Sequence, residues 1–371
     1  MDRGALVRRF GFSLIAAAFA VSSAAAGTFG ISGRRFTYNS NPEFMVFVSY
    51  FAGIRHYAAD PAAVIANFNY MRASGVRGIR VFPNWWGGLN PCVAASDTLF
   101  STAHAATQYV NPTQLAHLKN FLTAADNAQL VVDISFAQET VPGLTFTDYK
   151  TAIAKVTTEL SGGYAHAFID VQNEANLPSA SCNKAALSEA QANELKAAVR
   201  GADGTRKVTI SIDQNLHGSL AGYLAQVSGF DVAAYHDPRG YPTGAYPANP
   251  SCPAPPGNTS PAWVRCTCAR VYDVGTGFGN TKPAYFQEPE RSNVTAANPT
   301  AYFGNPLLEA AARAKISGAA AWTLHTEVGF LLPGFPTALS SVESDFLTRL
   351  NATISTVAWN AGSPGYCSSL P

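Results

Sequence analysis

Charge is what this 371-residue sequence has least of. Asp, Glu, Lys and Arg make up 13% of it, about half the usual share. The two signs nearly cancel, with 25 basic against 24 acidic side chains. No basic field is therefore available for nucleic acid or an anionic membrane. Several signature motifs are missing too. There is no Gly-x-Ser-x-Gly elbow for a serine hydrolase and no His-Glu-x-x-His pattern for a zinc enzyme. The seven histidines are scattered, without a His-x-His pair, which argues against a metal-dependent amidohydrolase barrel. Gly275, Gly277 and Gly279 lack the dinucleotide spacing and precede a candidate strand instead of following one. No cofactor and no metal is expected.

Long apolar runs are scarce as well, and the one near the start has a different reading. Arg3, Arg8 and Arg9 precede the apolar run 10–21 and the small residues 22–26. That order is the pattern of a secretory signal peptide, and the run is too short to span a bilayer. Cleavage is expected after Ala26, in the context Ala24-Ala25-Ala26, leaving residues 27–371. Arg8-Arg9 also raises a twin-arginine route, although Gly11 stands where that signal prefers Phe. The expected protein is secreted, extracellular or periplasmic, free of the membrane once the leader is gone, and monomeric. Cys92, Cys182, Cys252, Cys266, Cys268 and Cys367 then read as up to three disulfides, with the pairing open. Zinc at Cys266-Thr267-Cys268 is the weaker reading, because zinc pairs usually sit two to four residues apart.

What the chain does have is alternation. Near-continuous apolar runs occur at 45–50, 78–82, 130–136, 167–171, 207–212, 230–235, 283–287 and 318–324. Strands covered on both faces read this way. Helical stretches lie between them: 60–75, opened by Asp60-Pro61, and 112–126, opened by Pro112. Others cover 147–160, 185–200, 220–227, 261–272, 306–316 and 341–350. Eight strand–helix repeats predict an α/β fold, a (β/α)8 TIM barrel, as a single domain over 27–371. Its long loops, 83–111 and 237–259, would lie on the catalytic face. A doubly wound open sheet would want a glycine-rich phosphate loop after the first strand, and none is there.

Barrel enzymes carry their chemistry at the C-terminal ends of the strands. The fourth run ends Ile169-Asp170-Val171-Gln172-Asn173-Glu174, and the seventh ends Ala284-Tyr285-Phe286-Gln287-Glu288-Pro289-Glu290-Arg291. Strands four and seven face each other across the barrel mouth, so Glu174 and Glu288 should oppose one another over a cleft. Two opposed carboxylates are what cleavage of a glycosidic bond requires.

Asn173-Glu174 ending strand four, with a Glu ending strand seven, resembles the clan A glycoside hydrolases (the 4/7 superfamily), in particular cellulase family 5. The resemblance implies retaining hydrolysis of a β-linked polysaccharide or oligosaccharide. It implies Glu174 as acid/base, Glu288 as nucleophile and Asn173 on the sugar 2-hydroxyl. Further positions match: Arg80 in Gly-Ile-Arg-Val-Phe beside the nucleophile, His236 in Ala-Ala-Tyr-His, and Trp322 in Ala-Ala-Trp-Thr as a sugar-stacking ring. Two departures stand out. Strand three ends Asp133-Ile134-Ser135-Phe136, where the family usually has His. His236-Asp237-Pro238 replaces His-x-Tyr, which leaves Tyr235, or a Tyr from elsewhere in the chain, as the Tyr that bonds the nucleophile.

Trp85 and Trp86, in the loop after strand two, suit a sugar-stacking platform. Glu290 rivals Glu288 as nucleophile, and Glu139 and Glu327 also follow strands, as subsite residues or plain loop charges. Structural readings stand beside these: an ion pair for Arg80, a core histidine for His236 and barrel core for Trp322. The alternative functions are a catalytically silent carbohydrate-binding barrel and a transglycosylase using the same two carboxylates.

Overall fold

In the computed structural model, residues 26–84, 98–137, 141, 143–176, 186–213, 220–236, 264, 267–279, 281–289, 302–325 and 338–359 are described. Twelve strands lie among them: β1 (Phe29–Ser32), β2 (Arg35–Tyr38), β3 (Asn41–Pro42), β4 (Met45–Ser49), β5 (Gly78–Val81), β6 (Val131–Ser135), β7 (Ala167–Asp170), β8 (Val208–Thr209), β9 (Ser211–Asp213), β10 (Ala233–His236), β11 (Ala284–Glu288) and β12 (Ala321–Leu324). The large sheet runs β8-β7-β6-β5-β4-β12-β11-β10-β9, and all its pairings are parallel. Its two terminal strands, β8 and β9, are consecutive pieces of one run broken at Ile210. The order therefore closes on itself. The fold is an eight-stranded (β/α)8 barrel, as the alternation of apolar runs and helices predicts.

The helices are α1 (Gly53–Ala59), α2 (Pro61–Ala73), α3 (Pro112–Asn127), α4 (Phe146–Leu160), α5 (Glu189–Ala202), α6 (Leu220–Val227), α7 (Thr267–Gly277), α8 (Pro306–Ile316) and α9 (Ser341–Thr356). Their starts are written in the sequence. Asp60, Asn111 and Asn305 each accept a backbone N–H of the first turn, with proline at the first helical position. Thr145, Ser188 and Ser340 form reciprocal capping boxes with Asp148, Gln191 and Glu343. These contacts satisfy N–H groups that a helix start otherwise leaves open. The eighth barrel strand begins at Ala321, three residues later than predicted. Ser317 ends α8 and Gly318 takes a left-handed φ of 90° before the chain can extend. No described helix is long and apolar enough to cross a membrane.

Side chains of the barrel strands alternate between two environments. Val46, Val48, Ile79, Val132, Ile134 and Ile169 join the large cluster that packs the helices on the sheet. Met45, Phe47, Val131, Phe168, Val232, Ala234, Tyr285 and Ala321 point inward and form a second cluster. The antiparallel pair β1–β2, absent from the sequence reading, adds Phe29, Phe36 and Tyr38 to that inner cluster. Phe29 stacks on Phe168 at 4.7 Å, and Phe36 meets Tyr285 edge-on at 5.8 Å. The hairpin plugs this end of the barrel with aromatic rings. Gly78 belongs to the same arrangement, because a Cβ there would run into the Phe47 ring.

Nearer the C-terminal ends of the strands, inward positions become polar. Ser49, Arg80, Asp133, Ser135, Asp170, Ser211, His236, Gln287 and Thr323 are all buried. That half of the barrel holds the site.

Candidate active site

Arg80 is the centre of the polar half. It projects inward from β5, fully buried, over the ring of Phe82 at 4.5 Å. Its Nε donates to Ser135 Oγ at 2.8 Å, and Nη2 donates to Asn173 Oδ1 at 2.8 Å. Its Nη1 donates to Glu288 Oε1. Asp170 and Asp133 complete the shell, with oxygens 3.5 Å and 3.7 Å from the guanidinium. Burial alone would depress this guanidinium, but Glu288, Asp133 and Asp170 outweigh it and raise its proton affinity. Arg80 is thus fixed as a cation that orients both Glu288 and Asn173.

Glu174 follows from β7 by an unusual backbone. Its φ is +44°, a left-handed value uncommon for a non-glycine residue and found preferentially where surroundings over-determine it. The surroundings do so here. Asn173 N donates to Phe136 O at 2.7 Å, Glu174 N to Ser211 Oγ at 3.2 Å, and Ala175 N to Ser211 O at 2.9 Å. Asn176 then clamps the turn to strand five, donating to Asp213 O at 2.6 Å and accepting from Asp213 N at 2.8 Å. This turn aims the Glu174 carboxylate back over the barrel mouth.

His236 ties the two carboxylates together. Its Nδ1 lies 3.1 Å from Glu174 Oε1 and 3.6 Å from Glu288 Oε2. Burial would lower its proton affinity, but Glu288 and Glu174 raise it by more. Glu174 is the more accessible acid, 17% exposed against 6% for Glu288. His325, just past β12, approaches Glu288 Oε2 from the other direction at 3.4 Å, while its Nδ1 contacts Ser49 Oγ at 2.9 Å. One ligand atom each from Glu174, His236 and Glu288 lie within 4.8 Å of one another.

Of the residues predicted from sequence, Arg80, Asn173, Glu174, His236 and Glu288 are brought together. Two are not. Tyr235 points outward, fully buried against Phe286 and Tyr223, at ring distances of 4.3 Å and 6.2 Å. Trp322 also points outward, packing on Phe346 of α9 at 5.6 Å. Each sits one residue out of phase with the inward-facing side of its strand. Trp85, Trp86, Glu139, Glu290 and Glu327 lie outside the described residues. The sequence reading passed over Asp133, Asp170, Ser135, Ser211, Gln287 and His325. Counting by twos from the inward residues Val131, Phe168, Tyr285 and Ala321 reaches Asp133, Asp170, Gln287 and His325, so strand phase was the available signal.

No family model and no curated protein sequence matches the chain. Solved structures do. A β-1,4-D-mannanase from Cryptopygus antarcticus superposes with a TM-score of 0.59 at 14% identity, covering 93% of this chain and 99% of that one. GH5_18 from Streptomyces cattleya, crystallised with GlcNAc, gives 0.53 at 14% identity, over 84% and 76% of the two chains. An endo-1,4-β-mannanase from Eisenia fetida gives 0.52 at 14% identity, over 87% and 95%. At such identities the likeness is one of fold: the chain has the barrel on which these glycosidases are built.

Proposed function

We propose that the chain is a retaining glycosidase that cleaves a β-linked polysaccharide or oligosaccharide, with Glu174 as acid/base and Glu288 as nucleophile. The observation that carries this is the spacing of the two acids. A carboxylate oxygen of Glu174 and one of Glu288 lie within 4.8 Å. Retaining pairs sit about 5–5.5 Å apart, whereas inverting pairs need about 6.5–9.5 Å to admit a water.

In the first step Glu174 gives its proton to the glycosidic oxygen as the bond from that oxygen to C1 breaks. A Glu288 oxygen forms the new bond to C1. In the second step Glu174 takes a proton from water, the water oxygen bonds C1, and Glu288 departs as carboxylate. Arg80 holds Glu288 turned to the sugar, and Asn173, held by the same guanidinium, is placed for the 2-hydroxyl. A neutral polysaccharide suits the low charge of the chain. β-1,4-Mannan is the first candidate, because two of the structures with this barrel are mannanases. Export follows from the leader-like order of residues 1–26, and the even number of six cysteines suits an oxidising compartment.

The test is release of reducing ends from a panel of β-mannan, β-glucan and xylan by residues 27–371. Glu174→Gln and Glu288→Gln should each lower the rate by about 10²–10⁴-fold. Retardation in polysaccharide gels with no hydrolysis of any substrate would instead make this a binding barrel. Products longer than the substrate would make it a transglycosylase.

A further inference from the structure

Gln287 precedes Glu288 on β11 and is fully buried. Its Nε2 lies 2.7 Å from Asp133 Oδ2 and 3.0 Å from Asp170 Oδ2. Asp170 Oδ2 also accepts from the hydroxyls of Ser211 and Ser135, at 2.8 Å and 3.1 Å, so the NH2 end of the amide is the end that faces it. The carbonyl end is thereby turned to His236, with Oε1 3.1 Å from Nε2. A carbonyl oxygen has no proton to give, so His236 must donate from Nε2. Its Nδ1 is left to face Glu174 Oε1, 3.1 Å away.

We infer that Gln287 is a positioning residue that pins one proton on Nε2 of His236, so that the Nδ1–Glu174 contact carries the single proton delivered to the leaving group. The inference rests on the glycosidase reading and adds how the acid is kept protonated.

Loss of that proton carries a cost. The Nδ1 lone pair would then confront a carboxylate oxygen at hydrogen-bond distance. A free neutral imidazole escapes this by moving its remaining proton from Nε2 to Nδ1. Here the move would set the Nε2 lone pair against Gln287 Oε1, and Gln287 cannot turn over without pointing its carbonyl at the acceptor oxygen of Asp170. Deprotonation is therefore unfavourable in either tautomer, and the contact holds its proton to higher pH. Other charged groups act in the same place. Glu288, on β11, lies 3.6 Å from Nδ1 and also draws a proton there. Arg80, on β5, opposes a positive imidazole. On the Glu174 side, Ser211 from β9 meets the backbone N–H of Glu174.

The direct test is 15N NMR of the wild-type protein labelled at histidine, with His236 assigned by its loss in His236→Gln. Once titrated to the neutral ring, His236 should show a protonated Nε2 and an unprotonated Nδ1. The opposite tautomer would overturn the inference. This readout needs no activity, so it stands or falls separately from the glycosidase reading. A second measurement uses Gln287→Met. The basic limb of its kcat/KM profile should fall by about one pH unit on aryl glycosides with poor leaving groups. Dinitrophenyl glycosides, whose leaving group departs unprotonated, should lose little. Equal losses on both substrates with an unmoved basic limb would mean a merely structural role.

Discussion

Arg80 brings one positive charge to a shell that holds three carboxylates, those of Asp133, Asp170 and Glu288. One guanidinium cannot neutralise three buried acids, so one of them has to keep its proton more readily than in water. Asp133 is that acid. Burial pushes its carboxyl up to about 7, Asp170 adds to the rise, and Arg80 with hydrogen bonds from Gln287 and Tyr285 opposes it. The folded value thus stands above the ordinary 3.8 of the unfolded chain. The folded state holds this proton more tightly, so the stability it brings is complete below about pH 4 and lost as pH rises through about 7. Asp133→Asn keeps an oxygen acceptor for Gln287 and cannot ionise. Its thermal stability relative to wild type should improve from pH 4 to pH 7, by up to about 1.4 kcal/mol per pH unit. Parallel stability curves for the two proteins would contradict this reading of Asp133. Of this shell, the sequence displayed Glu288, which ends an apolar run, and Arg80 through the family resemblance of Gly-Ile-Arg-Val-Phe. The carboxylates inside the runs were hidden among apolar neighbours.

Strand phase decides which residues of a run reach the site, and here the sequence was only half legible. Ala-Ala-Tyr-His and Ala-Ala-Trp-Thr each mark a strand end correctly, at β10 and β12. Resemblance then chose His236 and added Tyr235 from the first, and chose Trp322 from the second. Alternation sends Tyr235 and Trp322 to the helices while His236 and His325 reach Glu288. An aromatic side chain fits either face of a buried parallel strand, so its identity carried no directional information. Trp322→Ala tests the assignment. Losing this ring from between β12 and α9 should cost about 3–5 kcal/mol of stability in denaturant unfolding. The kcat/KM of the folded protein should stay near wild type. A large loss of kcat/KM in a variant of undiminished stability would put Trp322 back at the sugar.

At the scale of the whole molecule the barrel divides along its axis into an aromatic half and a polar half. The order of the eight strands was readable, because buried parallel strands announce themselves as continuous apolar runs. The opposition of Glu174 and Glu288 followed from that order alone. The hairpin β1–β2 was not readable: two four-residue strands carry too little periodicity, and their partners Phe168 and Tyr285 lie far along the chain. The polar network is equally non-local, with Gln287 bonding Asp133 across 154 positions. Closure of the sheet is what brings these residues together, Glu174 and Glu288 among them, and the proposed function sets one acid on each side of the reacting carbon. The most direct measurement of that claim is the configuration of the glycosyl azide formed from an activated β-aryl glycoside by Glu174→Ala and Glu288→Gly. Without Glu174, azide should attack the glycosyl-enzyme and give the β-azide. Without Glu288, it should take the empty nucleophile's place and give the α-azide. An α-azide from the Glu174 variant, or a β-azide from the Glu288 variant, would contradict the roles assigned to the two acids.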